Sequence, residues 1–178
     1  MKTIELTDII PIFTADMIQA RIKELADSLN KEYSEEVYIV CVLKGAVMFA
    51  TDLVKHLKMP VKMEFIRLSS YGSDTESSGQ VKAIDFNLPD LNGKNVIVIE
   101  DIIDTGYTAQ FLTVFFKNNF RVKSYKFISL LDKRCRREVD VHPDMYGFDI
   151  DDRFLVGYGL DFDGVYRNLD YVGYVELG

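Results

Sequence analysis

Apolar side chains recur along the first third of the chain in patterns that distinguish helices from strands. Across residues 15–33 they return every three or four positions, which predicts a helix, and Thr14 is suited to cap its first turn. Val37–Leu43 is apolar without a helical period and rich in β-branched residues, which favours a buried strand. By the same criteria we expect a helix over residues 46–57 and a strand over residues 61–69.

The second half of the chain repeats this alternation. Residues 95–99 form a short apolar run after Asn95, typical of a strand buried on both faces of a parallel sheet. A helix is predicted over residues 109–118 and a strand over residues 122–131, and later the clearest strand is Phe154–Val156. Alternating strands and helices predict an α/β fold with a mostly parallel central sheet flanked by helices.

A polar segment lies between these two halves. Residues 69–79 are rich in serine and glycine and contain almost no apolar residue. The segment is therefore either a long hairpin connection or a mobile lid over a binding site.

Composition and charge narrow the class of protein. The chain has 178 residues, 48% hydrophobic and 28% charged, which suits one soluble domain over residues 1–178 and excludes a disordered chain, a collagen-like fibre and a coiled coil. Its 21 Lys and Arg against 28 Asp and Glu give a net charge of −7, so we expect no nucleic-acid partner. The two cysteines predict no disulfide framework, and we see neither a membrane span nor a secretory signal, so we expect a cytoplasmic protein.

The most informative chemistry follows the apolar strand of the second half. The strand leads into Glu100 and Asp101, then Asp104, and Thr105 and Gly106 open the next helix. A helix N-terminus offers free N–H groups to a phosphate, and carboxylates beside it suit Mg²⁺, which bridges protein and substrate oxygens. The simpler alternative is that the acids only cap the helix, but three acids followed by T-G-x-T favour a binding site.

The segment EDIIDTGYT at 100–108 resembles the phosphoribosyl-pyrophosphate (PRPP) signature of type I phosphoribosyltransferases, and of the hypoxanthine-guanine members most closely. The resemblance implies the type I phosphoribosyltransferase fold, with a small hood made from the N-terminal segment and roughly residues 140–178. It implies an enzyme that joins a purine nitrogen to C1 of PRPP and releases pyrophosphate. The further motifs in the family's order are VLKGA at 42–46, SSYGS at 69–73, LLDK at 130–133, RREVDV at 136–141, FLVGYGLDF at 154–162 and YRNL at 166–169.

The resemblance also implies roles for individual residues. Asp104 matches the proposed general base that accepts the proton from purine N7, and Glu100 and Asp101 match the acids that hold the ribose hydroxyls and their Mg²⁺. Asp161 matches a further metal ligand beside the purine. The loop that binds the 5′-phosphate comprises Asp104, Thr105, Gly106, Tyr107 and Thr108.

The remaining sites follow in the same way. Lys133 matches the donor to the purine 6-oxo group, and Phe154 matches the ring that stacks on the purine. The pyrophosphate contacts are Lys44, Gly45 and Arg167; the other purine contacts are Ile102 and Leu155; and the closing lid contains Ser70 and Tyr71.

The implied partners are PRPP, hypoxanthine, guanine, IMP or GMP, pyrophosphate and Mg²⁺, in a homo-oligomer that is a dimer or tetramer. Departures from the family pattern at Asp151, Leu155 and Asp170 leave the choice among hypoxanthine, guanine and xanthine open. A regulator on the same fold that binds PRPP or nucleotides without turnover is the alternative from another class. It would be expected to lack some of the catalytic groups, which this chain retains.

Overall fold

The computed structural model describes residue 5 and residues 8–70, 81–85 and 87–175. Its helices are α1 (Ala15–Glu32), α2 (Val47–Val54) and α3 (Tyr107–Asn119). Its strands are β1 (Ile10–Phe13), β2 (Val37–Leu43), β3 (Val61–Ser70), β4 (Val81–Asp85), β5 (Asn95–Ile103), β6 (Ser124–Asp132), β7 (Met145–Asp149), β8 (Phe154–Val156) and β9 (Val172–Val175).

Six strands form the central sheet, in the order β4-β3-β2-β5-β6-β7. The pairings from β3 to β7 are all parallel, and only β4 runs antiparallel, at the edge beside β3. The crossovers that parallel pairing requires place helices over both faces of such a sheet. The predicted α/β fold with a mostly parallel sheet is therefore confirmed.

The core lies in two layers, one on each face of the central sheet. Because successive strand residues point to opposite faces, Ile97 and Val98 of β5 enter different layers. One layer joins the sheet to the buried faces of α1 and α2, and the other joins it to α3 through Leu112 and Phe116. The central strands are thus held from both sides, which fixes the positions of the loops at their carboxyl ends.

The N-terminal cap of α1 is as predicted, whereas the bounds of α2 and α3 differ from the prediction. Thr14 caps α1 as predicted, and its hydroxyl accepts a 3.3 Å hydrogen bond from the Met17 N–H. The second helix ends at Val54 instead of residue 57 because the chain tightens there into i→i+3 hydrogen bonds, with the His56 and Leu57 N–H groups donating at 3.1 and 3.2 Å. The third begins at Tyr107, two residues earlier than predicted.

The strand predicted over residues 95–99 extends to Ile103, and this changes where two acids lie. Its ladder with β6 continues through the pair Ile103↔Asp132, so Glu100 and Asp101 belong to the strand and not to the loop after it. Polar residues at a strand end break the apolar pattern without breaking the ladder, which is why the sequence placed the end too early.

The second sheet has the order β1-β9-β8, with both pairs antiparallel, and is built from the two ends of the chain. We assigned the hood to roughly residues 140–178, but β7 within that range pairs with β6 in the central sheet. In the described part of the chain no helix is long and apolar enough to cross a membrane.

β3 and β4 pair antiparallel, with Ser70 opposite Val81. The prediction of a hairpin connection or a lid over residues 69–79 falls mostly on residues 71–79, which lie outside the described residues. The predicted lid residue Tyr71 lies outside the described residues, and for Ser70 the structure describes the backbone, as the last residue of β3.

Candidate active site

The predicted site residues converge at the carboxyl ends of three neighbouring parallel strands. β2 leads into Lys44 and Gly45, β5 into Asp104, and β6 into Lys133. Ligands of open α/β sheets bind at this edge. The hood adds the segment from Phe154 to Arg167, so the described site residues come from four separate parts of the chain.

Glu100 and Asp101 lie near the carboxyl end of β5, with side chains directed to opposite faces of the sheet. Burial, and then the charge of Asp101, hold the pKa of the Glu100 carboxyl well above its usual range. Burial likewise raises the pKa of Asp101 to about 6, while the nearby Arg167 opposes this and the nearby Asp161 adds to it. Of the two acids, Asp101 is therefore the one that faces the hood's charged residues.

Two glycines allow the loop of Lys44 and Gly45, the predicted pyrophosphate loop, to pack tightly beside Asp101. A Cβ atom on Gly45 would lie 1.4 Å from the Asp101 Oδ2 atom, so only glycine leaves room for that carboxylate. A Cβ atom on Gly159, where φ is +102°, would lie 1.9 Å from the Gly45 carbonyl oxygen. The peptide bond between Leu43 and Lys44 is cis, and the Lys44 side chain is exposed.

The loop before α3 has the geometry predicted for a phosphate site. Gly106, at φ +94°, precedes the first helical residue, Tyr107. The first N–H groups of any helix have no acceptor within it and are available to an anion. Thr105 and Thr108 are half-buried beside these groups, and the Tyr107 hydroxyl is hydrogen-bonded to Glu138, whose carboxylate raises the pKa of Tyr107.

The Asp104 side chain remains accessible, with 40% of its surface exposed. Its Oδ1 atom is buried and receives no hydrogen bond from a described residue, although the Arg136 Nε atom lies 3.5 Å away. This contact is an ion pair at the surface, and it leaves the carboxylate accessible. Asp104 is thus placed to accept a proton from a ligand that occupies the space in front of the loop.

Of the predicted purine contacts, Lys133 is buried and Phe154 is partly exposed. The buried Lys133 ammonium donates a 2.8 Å hydrogen bond to the Arg153 carbonyl and lies 3.5 Å from the Asp152 carboxylate. Phe154 is 39% exposed and meets Phe162 edge to face, with ring centroids 5.6 Å apart. The other two predicted purine contacts, Ile102 and Leu155, pack against the main core.

Arg167 is bound to two other residues of the hood. Its Nη1 atom donates a 2.6 Å hydrogen bond to the Gly159 carbonyl, and its Nη2 atom forms an ion pair with Asp161. The other Asp161 oxygen accepts a 2.7 Å hydrogen bond from the Gly164 N–H. Both Arg167 and Asp161 are therefore held by the same hood turn.

The predicted metal ligands are only partly brought together. Among the described residues no group of three or more His, Cys, Asp or Glu side chains is arranged to hold a metal ion. Asp101 and Asp161 nevertheless influence one another electrostatically, whereas Glu100 lies on the other face of the sheet. Mg²⁺ is commonly held by one or two carboxylates together with substrate phosphates, so the donor set of Asp101 and Asp161 fits that ion.

Several residues that frame the site have no role predicted from the sequence. Arg136 and Asp152 lie 3.7 Å apart and connect Asp104 with Lys133, and Arg137 pairs with the buried Asp132 below the phosphate loop. Arg136, Arg137 and Asp132 occur within motifs of the resemblance, which was the available signal. The contacts of Arg136 with Asp104 and Asp152 could not be inferred from spacing, since they join residues far apart in the chain.

Comparisons with known proteins agree with this geometry. Residues 14–163 match the phosphoribosyl transferase domain. Hypoxanthine-guanine phosphoribosyltransferases of Bacillus subtilis and Streptococcus thermophilus are 41% and 43% identical over 166 residues, covering 93% of this chain and 92% of each relative. A crystal structure of a hypoxanthine phosphoribosyltransferase from Staphylococcus aureus superposes with a TM-score of 0.91 at 36% identity, covering 99% of this chain and 96% of that one. The chain therefore belongs to the phosphoribosyl transferase domain family.

Proposed function

We propose that this protein is a purine salvage enzyme that transfers the 5-phosphoribosyl group of PRPP to hypoxanthine or guanine, giving IMP or GMP and pyrophosphate. The observation that carries the proposal is the pairing of Ile103 with Asp132, because it sets Asp104 and Lys133 side by side at the ends of adjacent strands. Asp104 is an accessible carboxylate, which can accept the purine N7 proton. Lys133 is a buried ammonium, which can donate a hydrogen bond to the 6-oxo group. The names of the relatives support the same activity, and neither a xanthine-preferring enzyme nor a regulator is favoured.

The mechanism follows from where each group lies. The purine stacks on the exposed Phe154 ring, its 6-oxo group accepts a hydrogen bond from Lys133, and its N7 proton passes to Asp104 as N–C1 bonding develops. The α3 N-terminus holds the 5′-phosphate. The pyrophosphate departs at the other end of the sugar, and negative charge increases on it in the transition state. Lys44 and Arg167 provide positive charge there, and the Gly45 amide provides a hydrogen-bond donor.

Asp101 and Asp161 would hold Mg²⁺, whereas Glu100, the third predicted ligand, lies on the other face of the sheet. A bound ion would supply positive charge for the oxygens of the leaving group. The raised pKa of Asp101 is consistent with such a role, because a buried carboxylate without a full counter-charge gains most from a neighbouring cation.

Specificity follows from the donor-only character of the Lys133 ammonium. It can donate to the 6-oxo group of hypoxanthine or guanine but cannot accept from the 6-amino group of adenine, so adenine leaves one N–H of the buried ammonium without an acceptor. The hydrogen bond to the Arg153 carbonyl fixes the direction of the ammonium. Leu155 completes the purine site through its backbone.

Finer features extend the proposal. Ser70 and Tyr71 belong to a lid that excludes water during transfer, because water would otherwise capture the activated sugar. We also propose that the enzyme is cytoplasmic and works as a homo-oligomer, a dimer or a tetramer.

The test is pyrophosphate release from PRPP with hypoxanthine, guanine, xanthine and adenine supplied separately, in the presence of Mg²⁺. We expect rapid release with the first two bases and at most weak release with the others. The variant that tests the specificity is Lys133→Gln, which should lower the rates with hypoxanthine and guanine toward the adenine rate. Release that does not depend on any added purine, or a clear preference for adenine, would contradict the proposal.

A further inference from the structure

Three consecutive backbone carbonyl groups, of the last residue of β5 and the first two residues of the phosphate loop, are hydrogen-bonded to one neighbouring segment, residues 133–138. The Lys133 N–H donates to the Ile103 carbonyl at 2.9 Å, and the Glu138 N–H donates to the Thr105 carbonyl at 2.9 Å. Between them, the Asp104 carbonyl accepts a 3.2 Å hydrogen bond from the Nε atom of the Arg137 side chain. The first and third bonds come from the backbone, so Arg137 is the only side chain in this set of three.

These bonds determine where the N–H groups of the loop point. In a trans peptide the carbonyl of one residue and the N–H of the next point in opposite directions. Because the three carbonyls face residues 133–138, the N–H groups of Asp104, Thr105 and Gly106 face away from that segment. Successive N–H groups with a common direction make an anion-binding concavity, which here continues into the free N–H groups of α3.

The Arg137 guanidinium is itself held firmly. Only 10% of its side chain is exposed, and its Nη2 atom pairs with Asp132, whose side chain is 1% exposed. Nη2 also donates to the Ile103 carbonyl at 3.4 Å, and Nη1 donates to the Val141 carbonyl. A planar fork can satisfy all these acceptors at once, whereas a lysine ammonium on its flexible stem cannot reproduce the arrangement.

The aliphatic part of Arg137 supports the same loop. A Cβ atom on Gly106 would lie 2.8 Å from the Arg137 Cδ atom, and 2.9 and 2.7 Å from the side chains of Val139 and Val141. The guanidinium thus binds the loop at Asp104 while the stem packs against it two residues later. Both contacts hold the loop in the conformation whose N–H groups face outward.

We propose that Arg137, anchored by Asp132, is a positioning residue that orients the N–H groups of the phosphate loop toward the 5′-phosphate of PRPP. It acts through the loop backbone and has no contact with substrate of its own. The inference rests on the proposed function, since it assumes that this loop binds the phosphoryl end of the sugar.

Arg134 is a matched control for charge and for the shared partner. Its Nε atom also bonds to Asp132, at 2.9 Å, but its other contacts are with Asp149 and the Tyr146 ring, away from the loop. Arg134→Gln and Arg137→Gln therefore remove the same charge from the same carboxylate, and only the second removes a bond to the loop.

The experiment measures binding of ribose 5-phosphate by calorimetry, because this probe lacks pyrophosphate and reports the 5′-phosphate site alone. We expect Arg137→Gln to weaken binding by about 10- to 100-fold, the usual range for a hydrogen bond involving a charged group, and Arg134→Gln to leave it within about twofold. In the steady state Arg137→Gln should raise the KM for PRPP much more than the KM for hypoxanthine. A role confined to fold stability would lower the melting temperature without this difference between the two substrates.

A second measurement follows the loop directly. In ¹⁵N-labelled wild-type protein, ribose 5-phosphate should shift the amide resonances of Asp104, Thr105 and Gly106, and these shifts should be smaller in Arg137→Gln. Arg137→Lys, the conservative variant, should recover little of the affinity, and it also serves if Arg137→Gln does not fold. Equal affinity of the wild type, Arg137→Gln and Arg137→Lys would overturn the inference. A wild-type protein that does not bind ribose 5-phosphate would instead overturn the proposed function.

Discussion

Asp101→Asn is expected to stabilise the substrate-free protein at neutral pH while it removes activity. The ordinary aspartate pKa is 3.8, and burial raises the pKa of Asp101 in the folded protein to about 6. Between these values the folded state binds more protons than the unfolded state, so the free energy of unfolding falls as pH rises through this window. The two values differ by about 2.2, and at about 1.4 kcal/mol per pKa unit the ionised carboxylate costs up to about 3 kcal/mol above pH 6.

Asparagine keeps the shape of the acid and removes its charge. We therefore expect the free energy of unfolding of Asp101→Asn, measured by urea titration, to exceed the wild-type value by up to about 3 kcal/mol at pH 8. At pH 4 the two proteins should be nearly equal, because the wild-type carboxyl is then protonated in the folded state. Asp27→Asn, at an exposed position of α1, is the control for the loss of one acidic side chain from the protein.

The result that would refute this reasoning is an Asp101→Asn protein that is less stable than the wild type at pH 8, or one whose stability differs from the wild type by the same amount at every pH. Either would show that burial does not raise the proton affinity of this carboxyl. Added Mg²⁺ with PRPP should stabilise the wild type more than the variant, since ligand bound to the folded state adds to stability in proportion to its affinity.

Three other predictions test the proposed roles. Asp104→Asn should lower kcat by roughly 10²–10⁴-fold with little change in PRPP affinity, as expected for loss of a general base, and near-normal turnover would contradict that role. Lys133→Ala should weaken the use of 6-oxopurines, measured as kcat/KM, more than it weakens PRPP binding, and equal losses would count against a contact with the purine. EDTA should abolish activity and added Mg²⁺ restore it, and turnover that persists in EDTA would exclude the metal role of Asp101 and Asp161.

The order of elements could be predicted from the sequence because the signals are local. The three- and four-residue spacing of apolar side chains in α1, with the Thr14 cap, fixes a helix without reference to the rest of the chain. The wholly apolar stretch from Val96 to Ile99 likewise indicates a strand that is covered on both faces. The last residues of β5 could not be assigned in this way, because Glu100, Ile102 and Ile103 stay in the ladder only through their partners on β6.

The composition of the candidate site could be predicted from motifs, but its internal contacts could not. The pattern of acids before Thr105 indicates a phosphate loop, and the family resemblance names Lys133 and Arg167. Nothing in the spacing shows that Arg137 bonds to the Asp104 carbonyl, because the two residues are 33 positions apart and meet only when β5 and β6 pair.

Gly45 lies between the central sheet and the hood and contacts both. Its Cα faces the Asp101 carboxylate on one side, its carbonyl faces the backbone of Gly159 on the other, and Gly159 in turn accepts a hydrogen bond from Arg167. The hood can therefore approach the central sheet this closely only because both glycines lack a side chain. This approach places Arg167 and Asp161 close enough to Asp101 to affect its pKa. Any movement of the hood changes the distance between these charges, so the electrostatics around Asp101 depend on hood position as well as on the residues themselves.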